Sequence, residues 1–285
     1  MLFNLHTHTS FSDGSSRPAE YLEEAARQGF SVLGFSDHSP VPFRNDFAIK
    51  QEKLGEYVET IRKLVSSPAG DGSKGIGRVL LGLELDYIPG VTESIDFYRK
   101  AYDFDYFIGS VHLVKNDSHP ALWFIDGPRV ETYDDGLKKI FGGNIRKGVT
   151  AYYHQVSEMI MTQEPDIIGH LDKIKMHNRN RFFTEDEEWY TRLVDETLDL
   201  VRQTSCVIEV NTRGIYKKRS DSLFPGPEIL KKICKLNIPV TISTDAHKPS
   251  ELSLGFEETR KLLSEIGFRT LSVMDSEGWK AVPIN

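Results

Sequence analysis

The sequence predicts an α/β fold, a TIM-like barrel of seven strand–helix units in a single domain over residues 1–285. Short apolar runs alternate with longer amphipathic segments along the whole chain, which is the pattern of strands joined by helices. Several of the short runs are continuously aliphatic or β-branched, as expected for parallel strands that are buried on both faces. The length of 285 residues is also close to the roughly 250 residues of one such barrel.

The predicted elements follow one another in regular order. The predicted strands are Leu2–His6, Ser31–Phe35, Val79–Leu85, Tyr106–Val111, Ile167–Gly169, Val207–Val210 and Pro239–Ile242. The predicted helices are Arg17–Gln28, Lys50–Val65, Ser94–Ala101, Asn144–Thr162, Glu185–Gln203, Pro227–Leu236 and Glu257–Glu265. A doubly wound open sheet is the structural alternative. No GxGxxG turn follows the first strand, which disfavours the dinucleotide-binding form of that alternative.

Two connections stand out by their composition or length. Ser66–Gly77 is rich in glycine and serine, and we expect it to be a surface loop. Lys115–Gly143 is unusually long for a connection and contains Trp123, Phe124 and Asp126. Connections of this length often act as lids or binding loops, but local packing of Trp123 within the segment is an equal alternative.

Charge and cysteine content narrow the classes of partner and compartment. The net charge of −7 and the pI near 5.8 argue against a broad nucleic-acid-binding surface, which needs clustered Lys and Arg. No window approaches the ~20 consecutive apolar residues of a membrane-spanning helix, and the N-terminus lacks the pattern of a secretory signal. Cys206 and Cys234 lie in apolar segments and have no metal-type spacing, so we expect buried free thiols in a reducing compartment, with the cytoplasm as the default location.

Metal-ligating residue types follow the predicted strands at their carboxyl ends, which lie on one rim in a barrel. His6 and His8 follow the first strand two positions apart, so in extended backbone both rings would point to one face. The other candidates of these types are Asp13, His38, Glu84, His112, His154, His170, Asp245 and His247. We expect the remaining histidines, His119 and His177, to be exposed to solvent.

The number of candidates predicts more than one metal ion. Seven histidines and at least three acids exceed what one catalytic zinc ion takes from a protein, so two or three ions are expected. Glu84 lies near the middle of the set and is the expected bridging carboxylate. Mixed imidazole and carboxylate ligands suit zinc, manganese or iron. A multinuclear centre lowers the pKa of bound water and clamps both oxygens of an in-line displacement, which fits hydrolysis of a phosphate ester or of an amide.

Two cations near the rim favour the phosphate ester. Arg213 directly follows the sixth predicted strand, and Lys175 follows the fifth. A guanidinium and an ammonium could bind the non-bridging phosphate oxygens and stabilise the transition-state charge. The ordinary alternative for each is a solvated surface charge.

The motifs resemble the polymerase and histidinol phosphatase (PHP) superfamily over nearly the whole chain. The resemblance lies in His6-x-His8 with Asp13-Gly14, Ser-Asp-His38, Gly-Leu-Glu84, Gly-Ser-Val-His112, His154, Gly-His170-x-Asp and Thr-Asp245-Ala-His247. It implies a distorted (β/α)7 barrel with a trinuclear metal centre. The amidohydrolases also begin with His-x-His, but their metal-bridging lysine and single late aspartate fit this sequence less well.

The resemblance also implies roles for individual residues. One ion would be held by His6, His8, Glu84 and Asp245, the second by Glu84, His112 and His154, and the third by Asp13, His38 and His247. A metal-bridging hydroxide would attack phosphorus, with Asp245 and His247 as candidates for proton transfer. Arg213 and Lys175 would bind phosphate, and His170 would lie behind the ligands or face the substrate. Related phosphatases often have arginine where this chain has Lys175.

Within the superfamily the chain resembles the monofunctional histidinol-phosphatases, in length and in the segment Glu-Val-Asn-Thr-Arg213. The implied reaction is hydrolysis of L-histidinol phosphate to L-histidinol and phosphate, in histidine biosynthesis. One alternative is another phosphoesterase of the superfamily, acting on phosphotyrosine or on nucleotides. A second is a metal-binding scaffold without catalysis. The sequence does not predict the oligomeric state.

Overall fold

The computed structural model describes residues 1–66, 76–275 and 278–284. The strands in these residues are β1 (Leu2–Asn4), β2 (Phe30–Phe35), β3 (Arg78–Asp86), β4 (Tyr106–Ser110), β5 (Leu113–Asn116), β6 (His119–Phe124), β7 (Ile167–Ile168), β8 (Val207–Asn211), β9 (Val240–Ser243), β10 (Thr270–Asp275) and β11 (Gly278–Pro283). The α-helices are α1 (Pro18–Gln28), α2 (Leu54–Val65), α3 (Ile95–Ala101), α4 (Val130–Phe141), α5 (Ile145–Gln163), α6 (Glu188–Val201), α7 (Arg213–Tyr216), α8 (Pro227–Lys235) and α9 (Phe256–Ile266). Every predicted strand and helix is present, with small shifts at the ends.

The main sheet is a nearly closed parallel barrel. Its strand order is β1-β2-β3-β4-β7-β8-β9, and every pair of neighbours is parallel. The segments that follow β1 and β9 join the two ends, because the His8 N–H donates to the Ala246 carbonyl at 2.9 Å and the Ala246 N–H donates to the His6 carbonyl at 3.1 Å. The Asn4 amide also donates to the Thr244 hydroxyl at 2.8 Å. The predicted distorted (β/α)7 barrel is therefore confirmed.

A buried tyrosine supports the segment that bears the first two histidines. Tyr106 on β4 packs across Gly34 on β2 and Gly82 on β3. A Cβ at Gly82 would lie 2.3 Å from the ring carbon that carries the Tyr106 hydroxyl, so only glycine leaves room for the ring at this position. The Tyr106 hydroxyl donates to the carbonyl of Leu5 at 2.5 Å. The barrel interior thus ties β4 to the backbone directly before His6.

The ends of α1 follow from its sequence. Pro18 is the first residue of the helix, where its missing N–H removes no helical hydrogen bond. Gly29 follows the helix with a φ of 73°, a left-handed conformation that glycine adopts without steric cost. The chain therefore turns directly into β2, which leads to His38 at the rim.

The long predicted connection Lys115–Gly143 is mostly regular structure. It contains the second half of β5 and all of β6, which pair antiparallel, and all of α4. Trp123 is buried, and its indole N–H donates to the Tyr133 carbonyl at 2.8 Å, so the tryptophan packs within its own segment. Phe124 and Asp126 instead line the cavity described below.

Other sequence predictions have mixed outcomes. His119 and His177 are half-buried rather than exposed. Cys206 is buried, Cys234 is half-buried, and both are free thiols. Most of the predicted surface loop 66–77 lies outside the described residues. Among the helices that are described, none combines the length and apolarity needed to cross a membrane.

Candidate metal centre

Glu84, at the carboxyl end of β3, is the centre of the site. Its side chain is fully buried. One oxygen, Oε2, lies 3.3 Å from His6 Nε2 and 3.4 Å from His8 Nε2. The other, Oε1, lies 3.2 Å from His170 Nε2 and 3.6 Å from His112 Nε2. The two oxygens therefore face two different groups of imidazoles, as expected of a bridging carboxylate.

The first group of donors, which we call cluster A, consists of His6, His8 and Asp245. His8 Nε2 lies 3.4 Å from Asp245 Oδ1. The histidine rings are 5.0 Å apart between centroids, although the strand itself ends at Asn4. The predicted convergence of His6 and His8 is thus present.

Cluster B consists of Glu84, His112 and His170. The Nε2 atoms of the two histidines face each other at 3.1 Å. The prediction that His154 joins this group is wrong, because its side chain is exposed on α5 and lines a separate surface cavity. His170, predicted only to lie behind the ligands or face the substrate, occupies the third position instead.

Cluster C consists of His8, Asp13, His38 and His247. Asp13 Oδ2 lies 3.1 Å from His247 Nε2, and Asp13 Oδ1 lies 3.8 Å from His8 Nδ1 and 3.9 Å from His38 Nε2. Because Asp13 is on the turn after His8, a tight turn must bring the two together. Gly14 permits it, since a Cβ there would lie 2.1 Å from the His8 carbonyl oxygen.

Two buried carboxylates orient the imidazoles. Asp86 accepts from His112 Nδ1 at 2.6 Å and from His38 Nδ1 at 3.0 Å. Glu209 accepts from His6 Nδ1 at 2.5 Å and from the His170 N–H at 2.8 Å. With Nδ1 of His6 and of His112 engaged, Nε2 is left to carry the lone pair that a metal requires.

The backbone at two of these residues is held in an unfavourable conformation. Asp245 has a φ of 51° and His170 a φ of 21°, in the region that side chains other than glycine rarely adopt. Such conformations persist where surrounding contacts impose them, and they are concentrated at functional sites. Here the Asp245 carbonyl accepts from Arg213 Nη1 at 2.6 Å.

The electrostatics keep the central acids ionised. Burial opposes ionisation, but His6, His38 and His112 together hold the pKa of Glu84 well below its usual range. Burial likewise opposes ionisation of Asp245, but Arg213 and His6 hold its pKa well below the usual range. Burial, reinforced by the charges of His247 and His38, lowers the pKa of His8 to about 3. At neutral pH the site therefore offers carboxylates together with a neutral imidazole.

The donor set fits divalent cations. Within the part of the chain that the structure describes, the buried atoms without a hydrogen-bond partner include His6 Nε2, both ring nitrogens of His8, and Glu84 Oε2. Buried polar atoms are normally hydrogen-bonded. Several unpaired nitrogen and oxygen atoms that converge on one point therefore indicate a binding site for a metal ion. Imidazole nitrogens mixed with carboxylate oxygens suit zinc, manganese or iron. Clusters A, B and C together can hold two to three ions.

The clusters open into a cavity of about 590 Å³ that also presents cations. Lys173 and Arg213 both line it and are largely buried. Lys173 Nζ lies 3.6 Å from Asp245 Oδ2, and Arg213 Nε lies 4.0 Å from the same oxygen. Arg213 is therefore next to the clusters, as predicted, and Lys173 is a second cation that sequence reasoning missed.

The prediction that Lys175 binds phosphate is wrong. Its buried ammonium lies 2.7 Å from Asp172 Oδ2 and 3.3 Å from Glu185 Oε2, with the Phe224 ring centroid 5.8 Å away. It is not among the residues that line the cavity. Lys175 is thus part of an internal ion pair, in which Asp172 also accepts from the Gly226 N–H at 2.9 Å.

The internal role of Lys175 predicts a stability effect. Replacing Lys175 by methionine leaves the buried Asp172 carboxylate without its counter-ion, which typically costs about 3–5 kcal/mol. Urea unfolding should show this loss. The control is Lys231→Met, which removes an exposed lysine paired with Glu228 at 2.6 Å, and should change stability by only about 0.5 kcal/mol. A loss below about 1 kcal/mol for Lys175→Met would contradict the ion-pair role.

Because His170 and not His154 lies in cluster B, we expect the two alanine variants to differ in metal affinity. His170→Ala should weaken zinc or manganese binding by about 100-fold, since even residues that only orient a ligand affect affinity by about 10- to 100-fold. His154→Ala should leave affinity and metal content unchanged. Metal titration with elemental analysis of both variants tests this. An equal loss of metal affinity in the two variants would show that His154 is a ligand as well.

Sequence reasoning gave no role to Asp86, Glu209 or Lys173, and of the three only Asp86 carried a signal in the sequence. Asp86 is two residues after Glu84 in the same strand, so both side chains point to one face. Glu209 is on β8 with its side chain inside the barrel. Lys173 is two residues before Lys175, and only the irregular turn after β7 decides which lysine faces the cavity.

Comparisons with known proteins identify a family and several relatives for this chain. The PHP domain family matches residues 4–213. A Deinococcus radiodurans protein named "Probable histidinol-phosphatase" is 30% identical over 275 residues, covering 95% of this chain and 96% of that protein. The Bacillus subtilis protein named "Histidinol-phosphatase" is 25% identical, covering 88% and 96%.

A solved structure extends the likeness to three dimensions. The histidinol phosphate phosphatase of Lactococcus lactis, complexed with zinc, L-histidinol and phosphate, superposes with a TM-score of 0.71 at 20% identity, covering 98% of both chains. At this identity the superposition shows a shared fold. Together with the family match over residues 4–213 and the relative at 30% identity, it confirms the resemblance in the motifs: the chain belongs to the PHP domain family.

Proposed function

We propose that this protein is a metal-dependent phosphomonoesterase that hydrolyses L-histidinol phosphate to L-histidinol and phosphate, in histidine biosynthesis. The observation that carries the proposal is the convergence of clusters A, B and C with two buried cations, Lys173 and Arg213, in one cavity. Three donor clusters supply the ligands for ions, and the cations supply partners for phosphate oxygens. The names of the relatives over nearly the full chain support the choice of substrate.

Two to three divalent ions would be held by the donors described above. His6, His8 and Asp245 would hold one with Glu84 Oε2, and His112 and His170 would hold another with Glu84 Oε1. Asp13, His38 and His247 would hold the third. Zinc, manganese or iron bound there would supply Lewis acidity toward phosphate oxygens and would activate water.

Arg213 and Lys173 would hold the phosphate. Arg213 is anchored at Nη1 by the Asp245 carbonyl at 2.6 Å and faces Glu251 Oε2 at 3.6 Å. An anchored guanidinium can donate to two oxygens of a phosphoryl group without further ordering. Lys173 would act as a compact charge on the same group. Both would stabilise the charge that grows on the phosphoryl oxygens as the ester bond breaks.

Asp245 and His247 are the groups we propose for proton transfer. Asp245 Oδ1 lies 3.4 Å from His247 Nδ1, and both residues line the cavity. The ionised carboxylate of Asp245 would accept a hydrogen bond from water and so position the proton for transfer. His247 is partly exposed at the cavity, which suits delivery of a proton to the leaving alkoxide.

The proposal further takes the partner to be a small phosphate ester and the location to be the cytoplasm. The net charge of −7 favours a small partner over a nucleic acid, because a nucleic-acid backbone needs a basic surface. Because a cavity of about 590 Å³ lies in the size range of small-molecule sites, it suits a compact ester better than a protein surface.

A phosphate-release screen tests the function. The purified protein is supplied with zinc, manganese and iron in turn, and kcat/KM is measured for L-histidinol phosphate, p-nitrophenyl phosphate, a phosphotyrosine peptide and a nucleoside monophosphate. We expect L-histidinol phosphate to exceed the others by more than about tenfold, the effect of roughly 1.4 kcal/mol in transition-state binding. Equal values across the panel would overturn the named substrate. Absence of phosphate release with every metal would favour the non-catalytic scaffold.

A further inference from the structure

Asp126, on the segment after β6, is a carboxylate in the cavity wall that belongs to none of the donor clusters. Its Oδ2 lies 3.6 Å from Lys173 Nζ and 3.8 Å from His112 Nε2. Its Oδ1 is buried and has no hydrogen-bond partner among the described residues. A buried acceptor without a partner is costly, so Oδ1 calls for a donor that arrives with a ligand.

The backbone holds this carboxylate in place from both sides. The Ile125 N–H donates to the His112 carbonyl at 3.1 Å. His177 Nε2 donates to the Gly127 carbonyl at 2.7 Å, which also explains why His177 is half-buried. A side chain fixed in this way loses little conformational entropy on binding, which favours selective recognition.

The charges of the cavity divide it into two parts. Lys173 Nζ lies 3.6 Å from Asp126 Oδ2 and 3.6 Å from Asp245 Oδ2. A phosphate dianion bound to Lys173 and Arg213 would be repelled by Asp126. Asp245 would be neutralised by the ion that it holds, whereas Asp126 lies outside the donor clusters. The phosphate would therefore face Arg213 and the clusters, and the alcohol part would face Asp126. Near a carboxylate with a free oxygen, a cationic donor makes the strongest hydrogen bond.

Aromatic rings line the same part of the cavity. Phe124 lies two residues before Asp126, and its ring stacks on Phe47 at 6.1 Å between centroids with an interplanar angle of 30°. Phe47 in turn contacts the His38 ring edge-on at 5.5 Å. Aromatic faces attract cations and pack against planar rings. An alcohol that carries both a positive charge and a flat ring matches this wall.

We propose that Asp126, with Phe47 and Phe124, forms a subsite that selects phosphate esters whose alcohol carries an ammonium group close to the ester oxygen. The proposal rests on the proposed function, because it places the phosphate on Lys173 and Arg213. L-histidinol phosphate has its ammonium on the carbon next to the esterified carbon, followed by an imidazole ring. Asp126 is thereby a specificity-determining residue, which binds the leaving group and takes no part in bond breaking.

The experiment compares substrates that differ only in the ammonium group. We measure kcat/KM for L-histidinol phosphate and its desamino analogue, imidazolylpropyl phosphate, and for aminoethyl phosphate and propyl phosphate. The ratio of charged to uncharged ester should fall by about 10- to 100-fold in Asp126→Asn, the effect of losing a charge-assisted hydrogen bond. Metal content should stay at the wild-type value.

Asp46→Asn is the matched control. Asp46 lines the same cavity but is exposed at its rim, so the variant makes the same change in charge without touching the buried carboxylate. Its ratio should remain within about twofold of wild type. If Asp126→Asn does not fold, Asp126→Ser removes the same charge with a smaller side chain and takes its place.

Several results would overturn the subsite. A wild-type enzyme without preference for the charged ester in either pair would do so, as would an unchanged ratio in the Asp126 variant. Equal losses on charged and uncharged esters would assign Asp126 to catalysis, and a loss of bound metal would make it a ligand. An equal fall of this ratio in Asp46→Asn would show that the preference for the charged ester comes from the net charge of the cavity and not from Asp126. Failure of the proposed function is separate: L-histidinol phosphate would then be a poor substrate, while the second pair still tests Asp126.

Discussion

Replacing Glu84 by glutamine is expected to lower kcat/KM for phosphate release by about 1,000-fold. The amide keeps the shape of the side chain but removes the charge that faces clusters A and B together. A metal centre stabilises transition-state charge by several kcal/mol, and each 1.36 kcal/mol corresponds to a factor of ten. Because Ser110 Oγ donates to Glu84 Oε1 at 2.6 Å, the side chain should keep its place in the variant.

Metal analysis accompanies the rate measurement. The Glu84 variant should bind fewer ions per chain, and excess zinc or manganese should restore activity only in part. The matched control is Glu56→Gln on α2, where an exposed glutamate pairs with Lys53 at 2.6 Å; its rate and metal content should equal those of wild type. Full activity of Glu84→Gln with all its metal would contradict a bridging role.

Replacing Arg213 by methionine is the second large effect, an expected loss of about 100-fold in kcat/KM. Removal of one donor to a developing oxyanion typically costs about 100- to 1,000-fold, and Lys173 would still hold the phosphate. Arg213→Lys should recover part of the loss, because an ammonium keeps the charge but cannot donate two parallel hydrogen bonds. Steady-state kinetics on L-histidinol phosphate measure both variants.

The control for Arg213 is Arg44→Met, an exposed arginine at the rim of the same cavity, for which we expect less than about a threefold change. An unchanged kcat/KM in Arg213→Met would refute the phosphate role. Since Arg213 also touches the Asp245 carbonyl, metal content must be measured as well. A loss of metal equal to that of Asp245→Asn would mean that Arg213 acts by supporting Asp245.

For His154, the helical periodicity of the sequence was a better guide than the order of the histidine motifs along the chain. On α5 the buried positions include Val149, Tyr152, Tyr153, Val156 and Met159, an apolar stripe at helical spacing. His154 falls outside that stripe, so the periodicity alone indicates an exposed residue. The order of the motifs suggested a ligand because it takes no account of the direction in which a side chain points around the helix axis.

The segment after β4 is a second place where the sequence contained more structure than was predicted from it. Tyr133, Leu137 and Ile140 are the buried residues of α4, and their spacing of four and three predicts an amphipathic helix. The β5–β6 hairpin has a polar turn, Asp117-Ser118, between two short apolar runs. Both elements were therefore readable in sequence, but their position over the rim was not, because it depends on packing of Trp123 against α4.

The barrel and the chemistry of its rim follow from the pattern of residues along the chain. Parallel strands buried on both faces need continuous apolar runs, and their carboxyl ends necessarily meet at one edge, so His6, His8, Glu84 and Asp245 could be placed together without coordinates. Coordinates were needed to choose Lys173 over Lys175 at the cavity and to place His170 in cluster B. Both choices depend on the direction of single side chains in the irregular backbone after β7, where contacts distant in sequence outweigh local preference.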